Sequence, residues 1–448
     1  MRSLRLFAAA VAVVASATWP RAASADGPLG PQGSRLQTSS YTVDLFQGPI
    51  LAGSRVTALA GAWAALAEGA EGHGFNAASP AVREAHSTST TDFDVDFGLT
   101  FPSSIGKTDF DNNGSPGFTY DNFVFGTLGA RVQEGKIAIG ATINLQQYEL
   151  GNPGNVDGIT SILIRYARGN LLGAYSLLSD QLYVGGGPRA ALLGIIDSSG
   201  GSERELLTVG GLGVEGGAVV APKWLPLRFG LTLRSPVDGK VDPASRVTPD
   251  ERGDRRIGEK YLPESIVMPW EVEWGLALQL GKRPLNPGWN DPEAIPAREV
   301  AARARPGETP KQTAKRIAKE RYAALPRQKL LVTTSFLVTG ATSNAVGFES
   351  FLSQRIDRSG ERISFTPRVG LEGEVVPSWL QLRAGSYMEP SRFQGGRPRV
   401  HGTAGFEQKL FSWTAFGLFY PGTYFRVSGA VDVAREYFGW SLGAGVWH

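Results

Sequence analysis

From residue 88 to the end of the chain, apolar side chains return at every second position. Ile137, Ile139, Ala141, Ile143 and Leu145 alternate with Ala138, Gly140, Thr142, Asn144 and Gln146. Trp270, Val272, Trp274, Leu276, Leu278 and Leu280 alternate in the same way with Glu271, Glu273, Gly275, Ala277 and Gln279. A period of two puts successive side chains on opposite faces of a strand, so each segment has one apolar and one polar face. The polar faces carry bulky charge: Glu271, Glu273, Arg368, Glu372, Glu374, Arg383 and Glu407. The apolar faces carry Trp, Phe and Leu, with no second set of strands evident to cover them. Aromatic residues gather near segment ends, at Trp224, Trp270, Trp379, Trp413, Tyr424 and Trp440. Lipid outside, a polar lumen inside and aromatic girdles at both interfaces account for this dress, so an all-β transmembrane antiparallel β-barrel is expected. The rival is a secreted soluble β protein. No run of some 18 apolar residues follows the first 25, which excludes an α-helical membrane protein.

Fourteen alternating segments can be counted between residues 88 and 448, an even number as a single-chain bacterial barrel requires. With both barrel ends on the periplasmic side, parity places Gln133–Gly135, Leu178–Gln181, Ala221–Leu225 and Pro377–Ser378 inside as short turns. The longer polar stretches 102–120, 237–265 and 343–361 fall outside. Charged residues make up only 19% of the chain and glycine reaches 57 residues, which suits many strands and turns better than an α/β enzyme. A net charge of +3 gives no case for nucleic acid as a partner. There is no cysteine, so disulfides, thiolate chemistry and a lipoprotein anchor are excluded.

Residues 1–25 have the form of a cleaved signal peptide: Arg2 and Arg5, an apolar stretch from Leu6 to Thr18, then Ala23-Ser24-Ala25. Residues 26–87 precede the strands as an N-terminal extension. Within it Gly53 to Pro80 is too rich in Gly and Ala for a core helix and is suited to folding inside a barrel as a plug. Thr57–Leu66 favours one short helix, which Gly69, Gly72 and Gly74 end. Residues 283–327 break the strand pattern. There Thr309 can cap a helix starting at Pro310, and Lys311, Lys315, Arg316, Lys319 and Arg321 make it basic. Parity puts this insertion in the periplasm, either as a solvated ornament or as a docking element for an acidic periplasmic partner or the cell wall.

The stretch Gly53-x4-Ala58-x-Ala60-Gly61-Ala62-x2-Ala65-x-Ala67, followed by Phe75-Asn76-Ala77-Ala78-Ser79-Pro80, resembles the hatch of the FadL/TodX-like outer-membrane transporters. Asn76 and Ala78 stand where that family has Asn and Ala. Ala77 replaces its usual Pro, and Ser79-Pro80 departs from its usual ending. The resemblance spans essentially the whole mature chain. It implies a bacterial outer-membrane location, a 14-stranded barrel, and passive uptake of hydrophobic small molecules such as long-chain fatty acids or hydrocarbons. Gly53, Arg55, Gly61, Asn76, Ala78 and Pro80 would then be hatch or gating residues. The last strand, with Phe438, Trp440, Leu442, Ala444 and Val446 on one face, resembles the signal read by the outer-membrane assembly machinery, although His448 stands where an aromatic is usual. The alternative function is a non-transporting barrel that docks accessory proteins in secretion or envelope organisation.

Glu271, Glu273, Arg368, Glu372, Glu374 and Arg383 are expected to line the lumen, paired with one another and with the plug; Arg55 is a partner for one of the glutamates. Phe348, Phe351 and Leu352 are candidates for apolar capture from outside. No cofactor is implied. Asp109-Phe-Asp111-Asn-Asn113-Gly114 matches the first half of a calcium loop, but Tyr120 occupies the position that needs glutamate, so an ordinary Asp/Asn/Gly turn is favoured. Four histidines, His73, His86, His401 and His448, stand in no nucleophile motif, so catalysis is not expected.

Overall fold

Strands with one apolar and one charged face cannot form an open sheet in lipid, because an unpaired edge would leave backbone groups without partners. Closure solves this. The computed structural model describes residues 29–447 apart from 88, 103–107, 117–123, 152–158, 202, 327–329 and 413–423. Residues 1–25, expected from the sequence to be a signal peptide, lie outside the described residues, as do Trp413 and His448. The barrel strands are β1 (Thr91–Pro102), β2 (Val124–Glu134), β3 (Ile137–Gly151), β4 (Ile162–Leu177), β5 (Leu182–Asp197), β6 (Arg204–Val220) and β7 (Leu227–Arg234). They continue with β8 (Glu271–Leu280), β9 (Leu330–Thr339), β10 (Ser364–Val376), β11 (Leu380–Glu389), β12 (Arg399–Ser412), β13 (Tyr424–Ala434) and β14 (Tyr437–Trp447). Each pairs antiparallel with the next, and β1 closes on β14 through Gly98–Pro102 and Gly439–Gly443.

The alternation resolves as expected into an outer and an inner face. Ile137, Ile139 and Ile143 are exposed on β3 while Ala138, Thr142 and Gln146 are buried; on β8, Leu276, Leu278 and Leu280 are exposed while Glu273, Ala277 and Gln279 are buried. Phe93 and Leu212 leave about three quarters of their surface open on the outer wall, 75% and 76%. In water such a wall would be an aggregation surface, whereas in a bilayer it is the lipid contact. The protein is an outer-membrane β-barrel.

The turns 135–136, 178–181 and 377–379 and the chain end after β14 lie at one end, taken as periplasmic by the rule that inner turns are short. The long connections 235–270 and 340–363 lie at the other. There Val237–Val241 and Ser265–Met268 prolong β7 and β8 outward, and α4 (Phe348–Ser353) packs into an apolar outer-end core. The earlier helices are α1 (Ser54–Ala58) in the lumen, and α2 (Ala297–Ala302) and α3 (Pro310–Ala323) in the insertion at the periplasmic end. The insertion has its own small core of Ile295, Val300, Ala314, Ile317 and Ala318.

Residues 50–82 run down the lumen. Where their backbone meets the wall, the wall has glycine: a Cβ at Gly185 would overlap the carbonyl of Ala77, one at Gly217 the Asn76 amide, and one at Gly230 the carbonyl of Ala64. Gly230→Ala should therefore push the plug off β7. Proteolysis within residues 64–76 is expected to rise while the barrel keeps its heat-modifiable folded band on gels; unchanged protection would show that the fit at Gly230 is not close.

Candidate functional site: plug and lumen wall

The plug is built from residues that make little regular structure. Its helix α1 is five residues long, and two three-residue 3-10 turns, Ala70–Gly72 and Ser79–Ala81, complete its regular part. Left-handed residues at Ala60, Gly61, Ala67 and Gly69 turn the chain between them. Such a backbone leaves its carbonyls without helical partners, and at membrane depth an unanswered carbonyl is costly. Wall side chains answer them. Thr403 Oγ1 donates to the Ala58 carbonyl at 2.8 Å, Arg368 to Gly61 at 3.3 Å, Thr333 to Ala62 at 2.6 Å and Arg228 to Leu66 at 2.8 Å. Further along the plug, Asn170 donates to His73, Arg234 to Gly74 and Phe75, Gln133 to Ala81 and Arg131 to Val82.

Asn76 performs the same service from within the plug. Fully buried, its Nδ2 donates to the carbonyl of Ala64 at 2.7 Å and of Ala218 at 3.2 Å, while its Oδ1 accepts from the Ala78 amide at 2.9 Å. This side chain fastens two limbs of the plug to each other and to β6. Ala78 packs in a small-residue cluster with Ala81, Val82, Ala138 and Ala174, and Pro80 opens the last 3-10 turn beside Gly140. Gly53 approaches Gly98 at the β1–β14 seam.

Charges are paired in alternation. Arg55 on α1 donates through Nε to Glu372 at 2.9 Å and through Nη2 to Glu68 at 3.2 Å. Glu372 also binds Arg383 at 2.7 Å, Arg383 reaches Glu407 at 2.8 Å, and Glu407 reaches Arg426 at 2.8 Å. Arg426 faces Glu71 of the plug at 3.6 Å, so the circuit leaves the plug at Arg55 and returns to it. A second set joins Glu273 to Arg368 at 3.0 Å and to Arg234 at 3.2 Å, with Glu271 also on Arg234. Glu374 joins neither set. It sits at the periplasmic rim, where its carboxylate accepts from the Ser378 amide and caps the β10–β11 turn.

The three apolar capture candidates are placed in a packed core. Phe348, Phe351 and Leu352 are buried on α4 among Tyr148, Tyr166, Ile162 and Ile164, and they present no open groove in this conformation. Helix α4 also supplies Glu349, which the sequence reading missed because it lies far along the chain from the Asp/Asn/Gly turn it joins. Asp109, Asp111 and Glu349 bring carboxylate oxygens within 4.8 Å of one another. The Asp109 carboxylate accepts from the amides of Asn113 and Gly114, and Glu349 accepts from the Phe110 amide and the Asn113 side chain. Burial pushes the carboxyls of Asp109 and Asp111 above their ordinary range, with like charge from Glu349 adding to it at Asp111.

His401 also acquires partners that the sequence did not reveal. Its Nε2 lies 2.6 Å from Glu389 and its Nδ1 2.7 Å from Asp432, while Tyr387 donates to Asp432 at 2.7 Å. Both ring nitrogens are thus taken by carboxylates, and the group stiffens the wall where Tyr387 receives the Ile50 amide.

At the periplasmic mouth the insertion touches both plug and wall. Arg228 bridges them, binding Glu68 at 3.0 Å on one side and Asn286 at 2.7 Å on the other. Trp289 donates to the Ser87 carbonyl at 2.8 Å and stacks under Arg83. The Thr309 capping box forms with Gln312. Arg316 and Arg321 are neutralised within the insertion by Glu308, Glu320 and Glu299, whereas Lys311, Lys315 and Lys319 form no ion pair among the described residues.

Fold and lumen together define a class: an outer-membrane β-barrel closed by an internal plug. No family model and no curated protein sequence matches the chain. Among solved structures, the CymD monoaromatic hydrocarbon channel is similar over 90% of this chain and 97% of its own, at 11% identity and a TM-score of 0.49. A Pseudomonas aeruginosa FadL homologue is similar over 92% and 98%, at 11% identity and a TM-score of 0.42. A mutant of the TodX monoaromatic hydrocarbon channel is similar over 88% and 96%, at 11% identity and a TM-score of 0.43.

Arg55→Ala removes hydrogen bonds between charged groups that are each worth about 1.5–3 kcal/mol. Leak of a small solute from reconstituted vesicles should rise, with Arg55→Lys restoring part of the seal; unchanged permeability would count against Arg55 as a tether. In the insertion, hydrogen bonds from Arg316 hold the Glu308 carboxyl down at about 2. A depressed carboxyl contributes its stability above the ordinary carboxylate range and loses it as pH falls through the folded value. The insertion should therefore resist proteolysis as well at pH 6 as at pH 7 and lose resistance progressively as pH falls below the ordinary carboxylate range, and Glu308→Gln should raise tryptic cleavage at Arg303 and Arg305 at neutral pH.

Proposed function

We propose that the protein is a plug-gated channel through which small hydrophobic molecules, of the hydrocarbon or long-chain fatty-acid class, cross the outer membrane by diffusion. The conformation described is its closed state. The observation that carries this reading is a cavity of about 150 Å³ between the outer-end core and the plug. One side is apolar, with Phe46, Ile50, Leu51, Phe75 and Leu337; the other carries Arg168, Glu215, Glu271 and Asp96. A cavity of this volume has room for a molecule the size of benzene against its apolar residues, while its charged residues face the other groups of the lining. On the polar side Arg168 stands beside Tyr166 and within reach of the Glu271 charge. The route onward is blocked by plug segments held at separate points, chiefly side chain to carbonyl, which favours movement of a segment over unfolding of the wall. No energised partner is implied.

A second reading rests on a different observation. Lys311, Lys315 and Lys319 recur every fourth residue along α3 and leave a basic stripe at the periplasmic mouth. A barrel that serves as a docking platform would use that stripe for an acidic periplasmic partner.

A Cβ at Gly74 would meet nothing within 4 Å, and Gly74 lines the cavity. Gly74→Phe is therefore expected to fill it without distorting the wall. Vesicles holding the unaltered protein should take up toluene faster than protein-free vesicles, and Gly74→Phe should abolish the difference. Equal uptake with and without protein would sink the channel reading in favour of the platform.

A further inference from the structure

The chain reaches the lumen from the outside. Residues 29–50 lie entirely at the end that carries the long connections. Gly33 and Leu36 donate through their amides to the carbonyls of Ile356 and Gln354, at 2.7 and 2.9 Å, and the Ile356 amide returns to Ser34 at 2.8 Å. The Ser39 amide binds Asp254 at 2.6 Å and the Tyr41 hydroxyl the Tyr261 carbonyl at 2.8 Å. A three-residue strand, Thr42–Asp44, then lies parallel to two partners at once: Ser265–Val267 on one side and Ala345–Val346 on the other. It joins connection 235–270 to connection 340–363 across the mouth. Only after Ile50, at Tyr387, does the chain descend past α1 to Val82 at Arg131 and Arg83 at Gly135, where it leaves on the periplasmic side and begins β1.

One buried ion pair fixes the arrangement. Asp44 Oδ2 lies 2.9 Å from Arg392 Nε, with both side chains almost fully buried, and also accepts from Ser359 Oγ at 3.0 Å. Arg392 further donates to the Gly340 carbonyl at 3.0 Å and covers the ring of Phe46. Leu36, Tyr41, Val43 and Leu45 fill the core from the N-terminal side against Phe351 and Ile356. The pairing itself is short and parallel, the less stable kind per residue, so its hold depends on the Asp44 contact and on this apolar packing.

We propose that residues 29–50 are an extracellular strap that holds the outer mouth shut, that Asp44–Arg392 is its lock, and that the lumen opens to the outside by release of the strap. The proposal rests on the channel reading for what passes, but not for whether the mouth opens. Position 37 is exposed, so in the otherwise cysteine-free chain Gln37→Cys should react with a membrane-impermeant maleimide on intact cells. Labelling only after lysis would overturn the placement. Thr42 Oγ1 and Ser265 Oγ are 2.7 Å apart, which suits a paired substitution, Thr42→Cys with Ser265→Cys, to a reversible disulfide lock.

Ion conductance of the full chain in planar bilayers is the readout, since it needs no hydrophobic substrate. In the Arg55→Ala background, where the plug's own tether is cut, Asp44→Asn should raise it roughly tenfold or more, the ratio for losing a hydrogen bond between charged groups. With both substitutions in place, the oxidised cysteine pair should return conductance to the level of Arg55→Ala alone and reduction should release it again. The cysteine pair in the unaltered background, where folding is not in question, should lose opening events on oxidation and regain them on reduction. Conductance indifferent to the redox state of the pair overturns the proposal. Redox-dependent conductance with no toluene uptake leaves the strap in place and removes the channel reading instead.

Discussion

A backbone without regular secondary structure can stand at membrane depth only if every carbonyl and amide in it finds a partner. The plug meets much of this condition from outside itself. Its carbonyls at Ala58, Gly61, Ala62, Leu66 and His73 to Phe75 are answered by Thr403, Arg368, Thr333, Arg228, Asn170 and Arg234, six side chains from five strands. Much of the wall composition follows from this. Inward positions are donors where the plug offers an oxygen and glycine where its backbone comes too close for a side chain. The barrel does not merely contain the plug; its inner face is complementary to one conformation of it.

The same donors settle the electrostatics. Glu273 and Glu372 are almost fully buried carboxylates, and a lone one would cost several kcal/mol in desolvation. Each is offered two guanidinium groups. Because arginine presents several donors in a fixed fork, a single residue can pair with a glutamate and also hold a plug carbonyl, as Arg368 and Arg234 do. Seal and charge balance are therefore one network. Moving a plug segment has to re-pair charges as well as break backbone contacts, which explains why the closed conformation is well defined even though the plug has so little secondary structure.

How far this could be read from the sequence varies with the range of the interaction. The alternation of strands such as Ile137–Leu145 is local, so strand number, closure and the inner and outer faces were legible. The plug was legible from composition, since Ala and Gly crowd where two backbones meet. Its partners were not. Which glutamate meets Arg55 depends on how strands are staggered around a closed wall, and a linear pattern does not carry that stagger. Glu374 has the right parity and the wrong height. Phe348, Phe351 and Leu352 look like an apolar loop because the residues that bury them, Tyr148, Tyr166 and the N-terminal segment, lie hundreds of positions away in part. Glu349 beside Asp109, and His401 between Glu389 and Asp432, are contacts of the same long-range kind.

The path of the N-terminal segment bears on how the molecule is made. From residue 29 the chain starts at the end with the long connections, passes down the lumen and leaves at the opposite end before the first strand starts, so the finished wall encircles residues 50–82. Delivered from the periplasm, residues 29–50 must already lie across the bilayer before β1 and β14 zip together, or else be drawn through a bore whose inner face has no room to spare. The circumferential strands are thus completed around a template already in position. Seam closure becomes the step that traps the conformation.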